Sequence, residues 1–349
     1  MSPKKTRKTQ PPTRQRRWHA ADATFSGERR RERSMRPEEG FAEAAQACFG
    51  TNIQTNGVVV SPYGVLAFVK IGAVERLCGV DDALVVGKNS VLAPGDAVQV
   101  AFEGDKPFVR GVATRRTWLS RLAIGRVQEQ VIAANVDVLL IVTAAAQPAF
   151  KRGLVDRFLI AAQHGGVEPA LCINKIDLTG GVIPEAARTY QEAGLPVYLT
   201  SCTTREGVPD LWRSLRGKRA VFAGHSGVGK SSLINAYAPE LAIATQTISN
   251  SNEKGKHTTT QSRIYSLPGG IQVIDTPGIR QLGLWGVSKE ELHHYFPEME
   301  RLAGNCRFRN CSHVHEPGCS VLEALESGEL SRLRYASYLR IRESLDPVR

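Results

Sequence analysis

Between residues 57 and 113 apolar residues come in short alternating or β-branched runs. They are Gly57-Val58-Val59-Val60, Val65-Leu66-Ala67-Phe68-Val69 and Ala97-Val98-Gln99-Val100-Ala101-Phe102, punctuated by Ser61-Pro62-Tyr63-Gly64 and Pro94-Gly95-Asp96. A period of two broken by turn residues predicts strands. A domain of this size predicts a small antiparallel barrel, with an OB-fold as the leading expectation. Lys70, Arg76, Arg110, Arg115 and Arg116 would give it a basic face for RNA, the alternative being a barrel that only packs on its neighbour. From about residue 130 the pattern changes. Val136-Asp137-Val138-Leu139-Leu140-Ile141-Val142, Pro169-Ala170-Leu171-Cys172-Ile173 and Val197-Tyr198-Leu199-Thr200 are near-continuous apolar strands, separated by amphipathic stretches at 154–164 and 184–193. Strands of this kind alternating with helices predict a parallel sheet covered on both faces, whose ligands sit at the carboxyl ends of the strands.

Charge and cysteine usage narrow the class. Of a net charge of +11 over 349 residues, residues 1–40 carry twelve Lys/Arg against five Asp/Glu. This opening stretch has little apolar surface to bury, so a disordered arm is expected, with a polyanion such as RNA as its partner. A solubilising tail is the bland alternative, and the acidic residues argue against a transit peptide. No apolar run reaches a membrane-spanning length and the first residues lack a secretory pattern, so no membrane partner and a cytoplasmic place are expected. Cys48, Cys78, Cys172 and Cys202 are scattered, while Cys306, Cys311 and Cys319 cluster, which does not suit a disulfide framework.

Four motifs carry the chemistry. The strand Arg219-Ala220-Val221-Phe222-Ala223 runs into Gly224-His225-Ser226-Gly227-Val228-Gly229-Lys230-Ser231, a complete G-x-x-x-x-G-K-S phosphate loop, followed by a helix from Ser232 to Tyr237. Its glycines let backbone N–H groups face the phosphates, Lys230 reaches the β- and γ-phosphates, and Ser231 offers a hydroxyl to Mg²⁺. Asn174-Lys175-Ile176-Asp177 has the pattern N-K-x-D that selects guanine. The Asp177 carboxylate can accept from both the ring N–H and the exocyclic amine of guanine, a polar match worth about 10⁴-fold or more against adenine. Thr200-Ser201-Cys202 is similar to the accompanying base loop, with Cys202 in place of the commoner alanine.

Asp275-Thr276-Pro277-Gly278 follows the strand at 271–274, where a GTPase places an Mg²⁺-organising aspartate and a γ-phosphate-sensing glycine. The polar stretch 249–260 reads as a first switch, and Thr259 or Thr260 would complete the Mg²⁺ shell. Ile279 follows Gly278 where many GTPases carry a water-orienting glutamine; His257 is then the nearest candidate in sequence for catalysis, the alternative being a histidine that only shapes the loop or touches rRNA. A conventional GTPase runs from phosphate loop to N-K-x-D, whereas here N-K-x-D comes first, a circular permutation that is allowed when the original termini lie close together. Finally, Cys306, Cys311, Cys319 and one histidine, His313 in preference to His315, suit a closed tetrahedral Zn²⁺ site with no open catalytic position. Residues 320–345 read as helices with basic faces, including Arg332, Arg334, Arg340 and Arg342.

From about residue 55 to 345 the chain resembles the circularly permuted, ribosome small-subunit-dependent GTPases called RsgA or YjeQ. The resemblance rests on Arg115-Arg116-Thr117-Trp118-Leu119-Ser120-Arg121 at the barrel's end, the permuted motifs, Gly255-Lys256-His257-Thr258-Thr259-Thr260, and the Cys-Cys-His-Cys segment with Glu316-Pro317-Gly318-Cys319. Lys256 in place of the usual arginine and Cys202 are the departures. The resemblance implies three parts: an OB-fold barrel at 51–120, a central α/β permuted P-loop GTPase at 121–297, and an α-helical zinc-binding region at 298–349; the basic disordered tail at 1–50 is read from its charge and lies beyond what the resemblance explains. It implies GTP as substrate, Mg²⁺ and one Zn²⁺, with the small (30S) ribosomal subunit and its 16S rRNA as partners. It also implies a role in late maturation, with hydrolysis stimulated by the subunit and driving release; a monomer is expected. A GTP-binding placeholder with negligible turnover and a GTPase serving translation are the rival readings.

Overall fold

The computed structural model describes residues 49–50, 53–86, 89–122, 129–239, 262–276 and 284–345. The alternating segments form β1 (Gly57–Tyr63), β2 (Leu66–Ile71), β3 (Val74–Val80), β4 (Ala97–Glu103) and β5 (Lys106–Ala113). They close in the order β1-β2-β3-β5-β4 and back to β1. Five strands cannot close with every neighbour antiparallel. One pair, β3 with β5, therefore runs parallel through Gly79↔Phe108 and Val80↔Val109. The inward residues of each strand, including Val59, Val69, Cys78, Val98, Val100 and Val109, fill the barrel core.

Two expectations about this region change. Trp118-Leu119-Ser120-Arg121 does not finish the barrel: β6 (Trp118–Leu122) leaves it and pairs antiparallel with β7 (Glu129–Ala134) as a separate ribbon. The expected basic face is also mostly neutralised. Arg110 pairs with Asp81 and Glu103, Arg116 with Asp137, and Arg115 grips the buried Asp96 through two nitrogens at 2.7 and 2.8 Å. Arg115 is thus a structural cation.

The second layer system is built on β8 (Val138–Ala144), buried along its whole length. Around it lie α1 (Arg152–His164), β9 (Glu168–Asn174), α2 (Glu185–Glu192), β10 (Val197–Thr200), α3 (Val208–Ser214), β11 (Arg219–Ala223), α4 (Lys230–Tyr237), β12 (Arg263–Ser266) and β13 (Gln272–Asp275). The sheet order is β10-β9-β8-β11-β13-β12, parallel except for the edge strand β12, which runs antiparallel to β13. Period-two alternation divides the core cleanly. Leu139 and Ile141 face α1 and α2 with Phe158 and Tyr190, whereas Leu140 and Val142 face α3 and α4 with Trp212 and Leu233.

Beyond the sheet come α5 (Pro297–Ala303), α6 (Ser320–Ser327) and α7 (Arg332–Ser344), whose core joins α1 through Ile160. Here the expectation of a basic helical face fails at Arg334. Its side chain is buried, donating to Asp156 of α1 at 2.6 Å and to Glu298 of α5 at 2.5 Å. Tyr190 of α2 donates to the same Asp156 oxygen at 2.8 Å, so four helices meet at one charge cluster. Among the described residues no helix is long and apolar enough to cross a membrane.

Candidate nucleotide site and metal centre

The phosphate loop connects β11 to α4 at the carboxyl end of the sheet. Gly224 has φ of 151°, and a Cβ there would come within 2.1 Å of the Val142 carbonyl oxygen on the neighbouring strand. Gly229 has φ of 96°, and a Cβ there would meet the Asn174 amide at 2.2 Å. Both glycines are therefore demanded by close approach as well as by backbone conformation. The Lys230 Nζ donates to the carbonyls of Gly224 and His225, 3.0 Å each, which folds it over the loop formed by Gly224, His225, Ser226, Gly227, Val228 and Gly229. Ser231 and Ser232 sit in the first turn of α4.

The guanine motif is locked to this loop by one side chain. Asn174, fully buried at the end of β9, donates from Nδ2 to the Val228 carbonyl at 3.0 Å and accepts from the Thr200 hydroxyl at 3.1 Å. A single amide thus ties together the three strand ends that would surround a nucleotide. Asp177 accepts from the Ser201 hydroxyl at 2.6 Å, and Ser201 also accepts from the Thr204 N–H, which shapes the base loop. Lys175 takes the left-handed conformation at φ 62° and donates to the Gln147 carbonyl. Cys202 lies beside Asn174, its thiol 3.7 Å from Oδ1, and burial raises its pKa. This bridging role of Asn174 was not evident from N-K-x-D alone, because its partners lie 26 and 54 residues away.

Asp275 ends β13. Burial pushes its carboxyl up to about 6, against the pull of nearby Lys230. The hydroxyl of the adjacent Thr276 is buried and has no hydrogen-bond partner among the described residues. A largely desolvated carboxylate that feels the charge of the phosphate-loop lysine suits a site that receives a hard cation and an anion together. His257, Thr259, Thr260 and Gly278 lie outside the described residues, as does the basic tail.

The C-terminal cluster is compact. The donor atoms of Cys306, Cys311, His313 and Cys319 all lie within 4.8 Å of one another. The Cys306 and Cys319 sulfurs are 3.9 Å apart, and each lies 3.6 and 3.5 Å from His313 Nδ1. Tetrahedral bonds of about 2.3 Å to sulfur and 2.0 Å to nitrogen put ligand atoms about 3.5–3.8 Å apart, so the donors fit one Zn²⁺. Burial lowers the His313 pKa to about 4, which keeps its ring neutral and able to bind metal. Glu316 accepts from the backbone N–H groups of Ser312, Val314 and His315, bonds that hold its carboxyl far below the usual range despite desolvation. Tyr335 and Tyr338 of α7 donate to the carbonyls of His313 and Ser312, fastening the metal loop to the helix. His315 is exposed and outside the cluster.

Comparison with known proteins agrees with this geometry. Residues 112–285 match the family model described as RsgA GTPase. The chain is 37% identical over 329 residues to the small ribosomal subunit biogenesis GTPase RsgA of Ectopseudomonas mendocina, covering 90% of this chain and 93% of that protein. It is 38% identical over 270 residues to the protein of the same name from Flavobacterium psychrophilum, covering 75% and 83% respectively. Among solved structures it is similar to YjeQ from Thermotoga maritima, with a TM-score of 0.64 and 30% identity over 84% of this chain and 99% of that one. It is also similar to YloQ, described as a circularly permuted GTPase, with a TM-score of 0.62 and 27% identity over 86% and 98% of the two chains.

Proposed function

Because the chain belongs to the RsgA family of GTPases, we propose that it binds the small ribosomal subunit and its 16S rRNA during late maturation, and that the subunit stimulates GTP hydrolysis to drive release. The observation that carries the nucleotide part of this reading is the Asn174 bridge, which ties the guanine loop, the base loop and the phosphate loop into one receptor; the ribosomal part is supported by the relatives of 37% and 38% identity. Asp177 reads guanine, with Lys175, Ser201 and Cys202 around the base. The amides of 224–232 and the Lys230 ammonium take the phosphates, and Gly278 senses the γ-phosphate.

Ser231, Asp275 and Thr259 or Thr260 would hold Mg²⁺, which would neutralise phosphate charge when bound. His257 orients the attacking water once the switch that carries it closes over the nucleotide, a task Ile279 cannot perform. Cys306, Cys311, His313 and Cys319 would hold one Zn²⁺ in a structural role, stabilising a module that faces RNA. The basic tail adds sequence-independent attraction to rRNA, and the protein acts as a monomer in the cytoplasm.

The test is co-sedimentation of the purified protein with immature and mature small subunits, loaded with GDP or a non-hydrolysable GTP analogue. Tighter binding of the GTP form, with preference for immature particles, is expected. Equal affinity for both nucleotide states would overturn the release mechanism.

A further inference from the structure

The barrel grips the strand that leads out of the first switch. β1 has a register shift between Val59 and Ser61. A bulge of this kind re-aims side chains. Val60 leaves the barrel core and packs in the same cluster as Ile264 of β12, and buried Ser61 donates to the Ser262 carbonyl at 2.9 Å. From β3, Glu75 accepts from one Arg263 nitrogen at 2.6 and 2.9 Å through its two oxygens. The same guanidinium lies 5.6 Å from the centre of the Phe68 ring on β2. Three barrel strands therefore hold two consecutive residues, Ser262 and Arg263.

These two residues occupy a sensitive position. Arg263 is the cross-strand partner of Asp275, and Thr260 stands two residues before Ser262. A cleft of about 850 Å³, lined by Asn56, Lys70, Glu75, Arg263, Tyr265 and Gln272 among others, opens beside the ion pair. The Glu75–Arg263 pair accordingly joins the two bodies next to open space. Both partners are about one-third exposed, so the pair adds little to stability and matters for the geometry it imposes.

We propose that Glu75 is a positioning residue, through which the state of the barrel is transmitted by Arg263 and β12 to Asp275 and the nucleotide site. The inference rests on the proposal above only for the stimulation of turnover by the small subunit. Coupling of this kind is reciprocal: if the barrel biases the nucleotide site, the nucleotide must be felt in the barrel. The ion pair is the charged one of the contacts both sides share, beside the Ser61 hydrogen bond to Ser262 and the packing of Val60 with Ile264.

The test uses the full-length protein and two readouts. Hydrogen exchange of the barrel segment 61–80 is compared between the GDP form and a non-hydrolysable GTP-analogue form, and turnover is measured with and without small subunits. The wild type should show nucleotide-dependent exchange in that segment. Glu75→Ala should weaken it at least about threefold, the Ser61 and Val60 contacts remaining, and should lower subunit-stimulated kcat about tenfold, in the range seen when residues supporting a site are removed. Intrinsic turnover and subunit affinity should stay within about twofold, since no direct contact is lost. Glu75→Gln, which keeps the shape, should fall between, and the exchange of charges in Glu75→Arg with Arg263→Glu should restore the response. A wild-type barrel indifferent to nucleotide, or a Glu75→Ala protein that retains the full response, would overturn the proposal. If the barrel responds but subunits do not stimulate turnover, the ribosomal reading fails and the coupling stands.

Discussion

Removing Arg334 should loosen the junction between the nucleotide-binding layers and the zinc-binding module, because α7 carries it to Asp156 of α1 and Glu298 of α5. Its guanidinium pairs with one oxygen of Asp156, whose side chain has no exposure, and with one oxygen of Glu298, whose side chain is 21% exposed, while the second oxygen of each is buried without a partner among the described residues. It also stacks 4.7 Å from the Phe296 ring centre and 5.5 Å from that of Tyr190. In Arg334→Ala the Asp156 carboxylate keeps only the Tyr190 hydroxyl as a donor among the described side chains, and breaking such a buried pair costs about 3–5 kcal/mol. Cation–π contacts in a desolvated setting add about 1–2 kcal/mol. For a folded body of this size the sum corresponds to a fall in melting temperature of about 10 °C or more, read by circular dichroism. Most of the penalty belongs to the stranded carboxylate rather than to the lost attraction. Adding Asp156→Asn to Arg334→Ala should therefore recover about half of the loss. A single variant that melts within about 2 °C of wild type, or a double variant no better than the single, would refute this account of the junction.

Asp177→Asn should weaken GTP binding by about 100-fold or more and shift preference toward xanthosine triphosphate, measured by competition, because a carboxylate acceptor is lost opposite two guanine donors. Elemental analysis should find about one Zn²⁺ per chain, and Cys311→Ser should lose it together with the cooperative melting of the C-terminal module; full zinc retention would remove Cys311 from the ligand set. Deleting residues 1–40 should flatten the salt dependence of subunit binding while leaving intrinsic turnover alone. An unchanged salt slope would make the tail a spectator.

Much of the fold was legible because its signals are local. A continuous apolar strand such as Val138–Ala144 can only be buried on both faces, and a glycine-rich loop between a strand and a helix has few alternatives. The four zinc donors stand within 14 residues, and their cluster follows from spacing. What was missed is long-range. Arg115, Arg263 and Arg334 look alike in sequence to any exposed arginine, yet their partners Asp96, Glu75 and Asp156 lie 19, 188 and 178 residues away. The ribbon of β6 and β7 was hidden for a related reason: its first strand continues the alternation of the barrel, and only the pairing partner shows that it has left. A faint signal existed for Asp156, an acid on the apolar face of an amphipathic helix, where an unpaired charge would be costly.

The proposed function requires a GTPase whose hydrolysis the small ribosomal subunit accelerates. Steady-state GTP turnover by the purified protein, with and without purified small subunits and with Lys230→Ala as the inactive control, tests it most directly. The expected result is slow intrinsic turnover raised at least about tenfold by subunits, no turnover in Lys230→Ala, and loss of the stimulated component in His257→Ala with nucleotide and subunit affinities intact. Turnover that is the same with and without subunits, or that persists in Lys230→Ala, would contradict it.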